Sequence, residues 1–269
     1  KNTDANRKFI SLYIAAKTGF NGLKWLFDLC SKLENINLED IDLFTLFSSV
    51  DPSEELWNYI ESKSESFNKT YWLSISPYFF RITTEESIIA INKLLASKRF
   101  KSALRVAHHF KKDLSTEMLS TILYQTITEE CHDNFLLEPH EITSLFKEIG
   151  KREDKNNETL LKLEWHYLTI LNSYASGYKP KLLYNELSEN PEFFVDVLKW
   201  IYMPSDDKNI EPEHTSLPKE TLQNFARQGY ELLDNFKNIP GVRPDNTIDH
   251  SGINQWTALK LRTNILEDY

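Results

Sequence analysis

At 269 residues, 41% hydrophobic and 26% charged, with a formal net charge of −9, the chain can bury a sizeable core. It presents no overall attractive field to phosphate backbones or anionic lipid, which argues against nucleic acid and membrane partners. Seven glycines are too few turn punctuators for a sandwich or barrel of many short strands, so composition predicts an all-α chain.

Helix punctuation is legible along the chain. Apolar residues recurring at three and four predict helices over about 5–17, 22–34, 39–49, 52–66, 85–96, 100–112, 115–130, 140–150, 157–174, 180–188, 191–202, 218–236 and 250–266. Asp51, Pro52 and Glu54 read as an N-cap, a first-position proline and a first-turn carboxylate, and Asn190, Pro191 and Glu192 repeat that logic. Thr83 and Glu86 have capping-box spacing, and Pro139 opens another helix. One stripe runs through Ala103, Val106, Ala107 and Phe110, and a second through Leu119, Ile122, Leu123 and Thr126.

The short connections predict antiparallel helical hairpins. The segment "LLASKRFKSAL" from Leu94 resembles the turn inside a tetratricopeptide repeat, although the expected Trp, Leu-Gly and Tyr are absent and no ~34-residue period repeats. The expectation is therefore an irregular α-solenoid of stacked hairpins, degenerate relative to tetratricopeptide or HEAT repeats. Two lobes are expected, 1–150 and 157–269, joined at the charged "KREDKNN". The second lobe carries an exposed acidic loop at 203–218 and a rigid, Pro- and Gly-bearing connector at 238–252.

The stretch "YWLSISPYFFR", Tyr71 to Arg81, holds five aromatic rings in eleven residues. Pro77 drives Ser76 away from helical geometry, so the two halves meet at a corner. There Trp72, Phe79 and Phe80 form either a packing wedge between hairpins or a recognition surface.

Together with "LEWHYL" at Leu163, "NPEFFVDVLKWIYMP" at Asn190, "ARQGYELLDNFKNIPGVRPD" at Ala226 and "IDHSGINQW" at Ile248, this stretch resembles the C-terminal helical region of very large bacterial multidomain proteins. Those often carry a P-loop NTPase module upstream and look like STAND-type signalling or antiphage-defence proteins. The resemblance covers most of 52–269 and implies a non-catalytic sensor or scaffold segment, with no substrate and no binding residues to carry over. The chain opens on Lys1, and "TALKLRTNILEDY" stops while its helical spacing continues, which reads as a piece of a larger protein.

Chemical constellations are weak. Cys30 and Cys131 lie far apart, against a disulfide framework or zinc spacing, and fit a reducing cytoplasm. No apolar run nears the ~20 residues of a membrane span, no signal peptide opens the chain, and the acceptor patterns at Asn68 and Asn157 read as chance. His108 and His109 are adjacent and diverge by about 100° on a helix. "CHDNFLLEPHE" gathers Cys131, His132, Asp133, His140 and Glu141 without a metal-binding spacing, and reads as a solvated loop. Glu164 and His166 are too close along one helix to face each other as an acid/base couple. "DDKNIEPE" at Asp206 lacks the glycine and terminal Glu of a calcium loop. No phosphate loop or nucleophile elbow is present.

The remaining candidate is the connector, where Arg243 with Asp245 and Asp249 either grips a partner's carboxylate or ties the loop to itself. The sequence therefore predicts no enzyme and no cofactor. It predicts a binding module for another protein or for other domains of a parent chain, with a structural arm packed on an NTPase core as the alternative.

Overall fold

A computed structural model describes residues 3–33, 38–79, 81–128, 131–133, 137–171, 177–202, 241–242 and 248–249. The described residues are helical apart from loops and one short strand pair, so the chain is all-α. It divides into two compact units, 1–145 and 146–269.

The N-terminal unit begins with α1 (Thr3–Asn21), α2 (Leu23–Leu33) and α3 (Asp40–Phe47). Gly22 separates α1 from α2 with φ +78, a left-handed conformation that favours glycine. Next come α4 (Glu54–Glu61) and α5 (Glu65–Ser74). The single helix expected over 52–66 is thus two. Ser62 closes α4 and Ser64 opens α5, its hydroxyl accepting from Phe67 N at 3.1 Å. The N-cap of α4 is Ser53 rather than the expected Asp51, because the Ser53 hydroxyl is the group that accepts from Leu56 N at 3.2 Å.

Helix α6 (Thr84–Ala96) starts on the expected capping box of Thr83 and Glu86. Glu86 does more than close its own helix. Its Oε2 accepts from Thr83 N at 2.7 Å, while its Oε1 accepts from Glu54 N at 3.0 Å, covering an orphan donor of α4 as well. Helix α7 (Phe100–Phe110) folds back on α6 through the "SKR" turn. Arg99 N bonds to Leu94 O and Lys98 N to Leu95 O, both at 2.9 Å, which is a Schellman closure. Lys98 occupies its left-handed position at φ 55, where a non-glycine residue costs about 1 kcal/mol or more. Lys98→Gly is therefore expected to raise stability by about 1 kcal/mol, read as a higher urea midpoint. A lowered midpoint would assign the Lys98 side chain a stabilising role that its backbone geometry hides.

Helix α8 (Thr116–Thr128) packs on α7, burying the two expected stripes apart from half-buried Phe110 and Thr126. Helix α9 (Pro139–Gly150) opens on Pro139 as expected, and the division between units falls within it.

The aromatic corner fills the centre of this unit. Trp57 of α4 meets Trp72 at 5.5 Å and Phe79 at 5.9 Å between ring centroids, while Tyr71 meets Trp72 edge-on at 5.4 Å. Trp72 and Phe79 are each 2% exposed, so both stand in the wedge position; Phe80 lies outside the described residues. Each large ring buried here removes about 150–250 Å² from water, a gross gain on the order of 4–6 kcal/mol before entropy. Tyr78 points outward at 56% exposure.

The second unit contains α10 (Asn157–His166), α11 (Leu168–Leu171), α12 (Lys181–Glu189) and α13 (Pro191–Tyr202). The helix expected over 157–174 breaks at Tyr167, whose N–H bonds to Leu163 O at 3.0 Å. Asn190 caps α13 as expected, its Oδ1 accepting from Glu192 N at 3.1 Å and Phe193 N at 3.2 Å. Within the 238–252 connector, β1 (Gly241–Val242) pairs antiparallel with β2 (Ile248–Asp249), setting Gly241 opposite Asp249 and Val242 opposite Ile248. The loop 203–218 and the helices expected over 218–236 and 250–266 lie outside the described residues. Among the described residues no helix is long and apolar enough to cross a membrane.

Candidate functional site

Among the described residues, three places carry the polar or exposed features from which a function can be built. The first joins α7 to the start of α9. Helical spacing sets Arg105, His108 and His109 on one side of α7, and His140, Glu141 and Ser144 on the first turns of α9. Arg105 grips Glu141 with two bonds, Nε to Oε1 at 2.7 Å and Nη2 to Oε2 at 3.1 Å. Glu141 Oε2 also accepts from Glu138 N at 2.9 Å, closing the N-terminus of α9. Burial alone would raise the Glu141 carboxyl; the Arg105 bonds, the Glu138 N–H and the Arg105 charge outweigh it and hold the group low. The other side of Arg105 reaches Tyr78, with Nη1 3.2 Å from the hydroxyl and the guanidinium 5.5 Å from the ring centroid.

Beside this pair stand three imidazoles. The His108 ring lies 5.3 Å from that of His109 and 5.5 Å from that of His140, and its Nδ1 contacts Ser144 Oγ. Burial, then the charges of Lys111 and His109, bring His108 down to about 4, so it is neutral at physiological pH. A neutral histidine against a serine invites a nucleophile reading, and the hydrogen bonds argue otherwise. Ser144 Oγ donates to Glu141 O at 2.9 Å, so the tautomer that satisfies both contacts has His108 Nδ1–H donating to the serine. The hydroxyl proton points at a carbonyl, away from any base. Among the described residues no three His, Cys, Asp or Glu side chains are arranged to hold a metal ion.

The residues of "CHDNFLLEPHE" separate accordingly. Glu141 belongs to Arg105, and Asp133 is buried at 8% exposure, a correction to the solvated loop expected there. Asp133 Oδ1 meets Arg99 Nε at 3.0 Å, its Oδ2 accepts from Ser102 N at 2.9 Å, and the Ser102 hydroxyl donates to Oδ1. Arg99 Nη1 donates to Trp72 O at 3.0 Å and Ile75 O at 2.6 Å. One ion pair therefore caps the start of α7 and the end of α5 together. Cys131 Sγ lies 3.5 Å from Asp133 Oδ2, and both Cys30 and Cys131 are thiols.

The second place is Glu164 in the C-terminal unit, fully buried on α10. Its Oε1 accepts from the Tyr178 hydroxyl at 2.8 Å and its Oε2 from Leu183 N at 3.0 Å, so it caps α12, whose own N-cap Pro180 supplies no side-chain acceptor. Burial raises the carboxyl to about 7 even though the Leu183 N–H and the Tyr178 hydroxyl favour its charged form. Its partners are thus on other segments, and none is His166.

The third place is α1. Its inner side is held to α3 and the turn after it: Arg7 Nη2 to Asp42 Oδ1 at 3.3 Å, Ser11 Oγ to Thr45 O at 3.3 Å, and Ser49 Oγ to Ser11 O at 2.8 Å, with Ile14 and Thr18 buried beneath. Its outer side is apolar and bare. Phe9 is 71% exposed, Leu12 63%, Tyr13 50% and Phe20 90%. At its C-terminal end a cleft of about 400 Å³ opens between Ala15, Gly19 and Leu23 on one side and Ser49, Val50 and Ser53 on the other. Sequence reasoning passed over this face, although its signal was present: apolar residues at 9, 12, 13, 16 and 20 are more than one buried stripe through 14 and 18 requires.

Arg243 and Asp245 lie outside the described residues. Asp249 is described only through its backbone pairing with Gly241. Comparison with protein-family models, curated proteins and solved structures found no match.

Proposed function

We propose that the chain is a non-catalytic protein-binding module, serving as the sensor or scaffold segment of a larger cytoplasmic bacterial signalling or defence protein. The observation that carries this reading is the bare outer face of α1. Exposed apolar residues scattered singly are ordinary, whereas four large ones on one helix form the kind of patch that partners cover. Helices here pack on neighbours one and two places along the chain, as α1 does on α2 and α3 and α12 does on α10 and α13. That pattern supports an irregular solenoid, an architecture that offers extended surfaces to other proteins. The biological setting rests on the resemblance of these sequence blocks, taken in order, to large bacterial NTPase proteins.

The test compares the chain with its Leu12→Asp variant as bait. The substitution lies on an exposed position and is expected to leave the melting temperature unchanged while abolishing capture of partners retained by the unaltered chain. Partners held equally by both baits would remove α1 from the function. A structural arm packed on a parent NTPase core, the alternative, predicts that the same variant disturbs assembly of the parent and leaves capture intact.

A further inference from the structure

We propose that the outer face of α1 is a docking site for an acidic amphipathic helix of another protein. This rests on the protein-binding reading and adds the chemistry of the partner. The shape of the face points to a helix. Ala5, Phe9, Leu12, Ala16 and Gly19 are all exposed and follow one another at four, three, four and three residues, the spacing of a heptad seam. The large residues, Phe9 and Leu12, stand mid-seam, with Ala5 before them and the small Ala16 and Gly19 after. A Cβ built on Gly19 would meet nothing within 4 Å, so the fold itself does not require a glycine there, and its smallness is available to a close-packing neighbour. The cleft beside Gly19 is large enough to take one bulky anchor side chain from the visitor.

Charge selects the partner. The chain as a whole carries −9, yet α1 holds Arg7, Lys8 and Lys17 against a single carboxylate, Asp4, ahead of the seam, and Asp51, which lines the cleft at the far end, is paired with Arg81 at 3.2 Å. Arg7 is turned inward onto Asp42, and the exposed Lys8 and Lys17 flank the seam, Lys17 lying 5.9 Å from the Tyr13 ring centroid. A helix with Glu or Asp beside its apolar stripe would meet complementary charge at both ends of the seam. A second copy would not, since antiparallel pairing sets Lys8 against Lys17 and parallel pairing sets each lysine against itself. An anionic membrane is disfavoured as well, because two lysines fall short of the roughly four to eight of a polybasic anchor.

The experiment uses the 269-residue chain and two labelled synthetic peptides of three heptads, identical in their leucine seam, one with glutamate and one with lysine at every flanking position. Like charge keeps each peptide monomeric. Fluorescence anisotropy is expected to show the glutamate peptide binding about tenfold more tightly than its lysine twin. Lys8→Glu with Lys17→Glu should reverse that order, and Leu12→Asp should abolish binding of both. Equal affinity for the two peptides, unmoved by the lysine variants, would overturn the charge assignment and leave the protein-binding reading standing. Binding of neither peptide would overturn the helix-docking site. Self-association lost in Leu12→Asp would replace the proposed partner with a second copy, and binding to vesicles of phosphatidylserine and phosphatidylcholine would replace it with a membrane.

Discussion

Asp133→Ala is expected to destabilise the N-terminal unit by about 3–5 kcal/mol, the cost of breaking a buried ion pair from one side. The Asp133 side chain is 0% exposed and that of Arg99 8%, so removing the carboxylate leaves a guanidinium with little water to turn to. The loss reaches two helices. Ser102 N, in the first turn of α7, loses its acceptor, and Arg99, which holds the Trp72 and Ile75 carbonyls at the end of α5, loses the group that orients it. Urea denaturation followed by amide exchange at Ser102 measures both effects. A double-mutant cycle with Arg99→Ala should show strong coupling, the double variant costing clearly less than the two single losses added. A single-variant loss under about 1 kcal/mol would mean that water replaces the carboxylate and that the pair is not a structural knot.

This knot also marks where sequence reading stopped. Thr83 with Glu86, Asn190 before Pro191, and Pro139 were legible because each cap and its target lie within one helical turn. Asp133 sits 31 residues from Ser102 and Glu164 sits 19 from Leu183, so the helix starts they close carry no local cap to read. Arg99 and Pro180 occupy those N-cap positions, and neither side chain accepts from the first turn of its own helix. Helix α5 was missed for a different reason. Its start signal is local, the Ser64 hydroxyl three residues before Phe67 N, but it falls inside the periodic stretch 52–66 and two residues after the end of α4 at Ser62, so the two helices read as one. The His108, His140 and Ser144 cluster needs α7 and α9 side by side, a juxtaposition that neither helix's own pattern contains.

Glu164 should give the C-terminal unit a stability that falls as pH rises, opposite to the usual behaviour of a paired carboxylate. Burial lifts its folded-state pKa to about 7, well above the value near 4.3 of an unfolded glutamate. Below that unfolded value both states hold the proton and the stabilising contribution is complete. Between the two values the folded chain keeps a proton that the unfolded chain has released, so the contribution is lost progressively and is gone above about pH 7, a difference of about 4 kcal/mol. His108 in the N-terminal unit slopes the other way. Its pKa of about 4 lies below the ordinary histidine value, so its contribution is present above about pH 6.5 and lost as pH falls toward 4. The raw pH profile of the chain therefore mixes opposing terms, and the informative quantity is the difference between the native chain and Glu164→Gln. Glutamine keeps an acceptor for Leu183 N and removes the titration. Amide exchange at Leu183 is expected to slow in the native chain as pH falls from 7 to 4.5, once corrected for intrinsic rates, and to show no such gain in the variant. Parallel profiles would mean that Glu164 stays ionised beneath α12, its charge carried by the Leu183 N–H, the Tyr178 hydroxyl and the positive end of the helix.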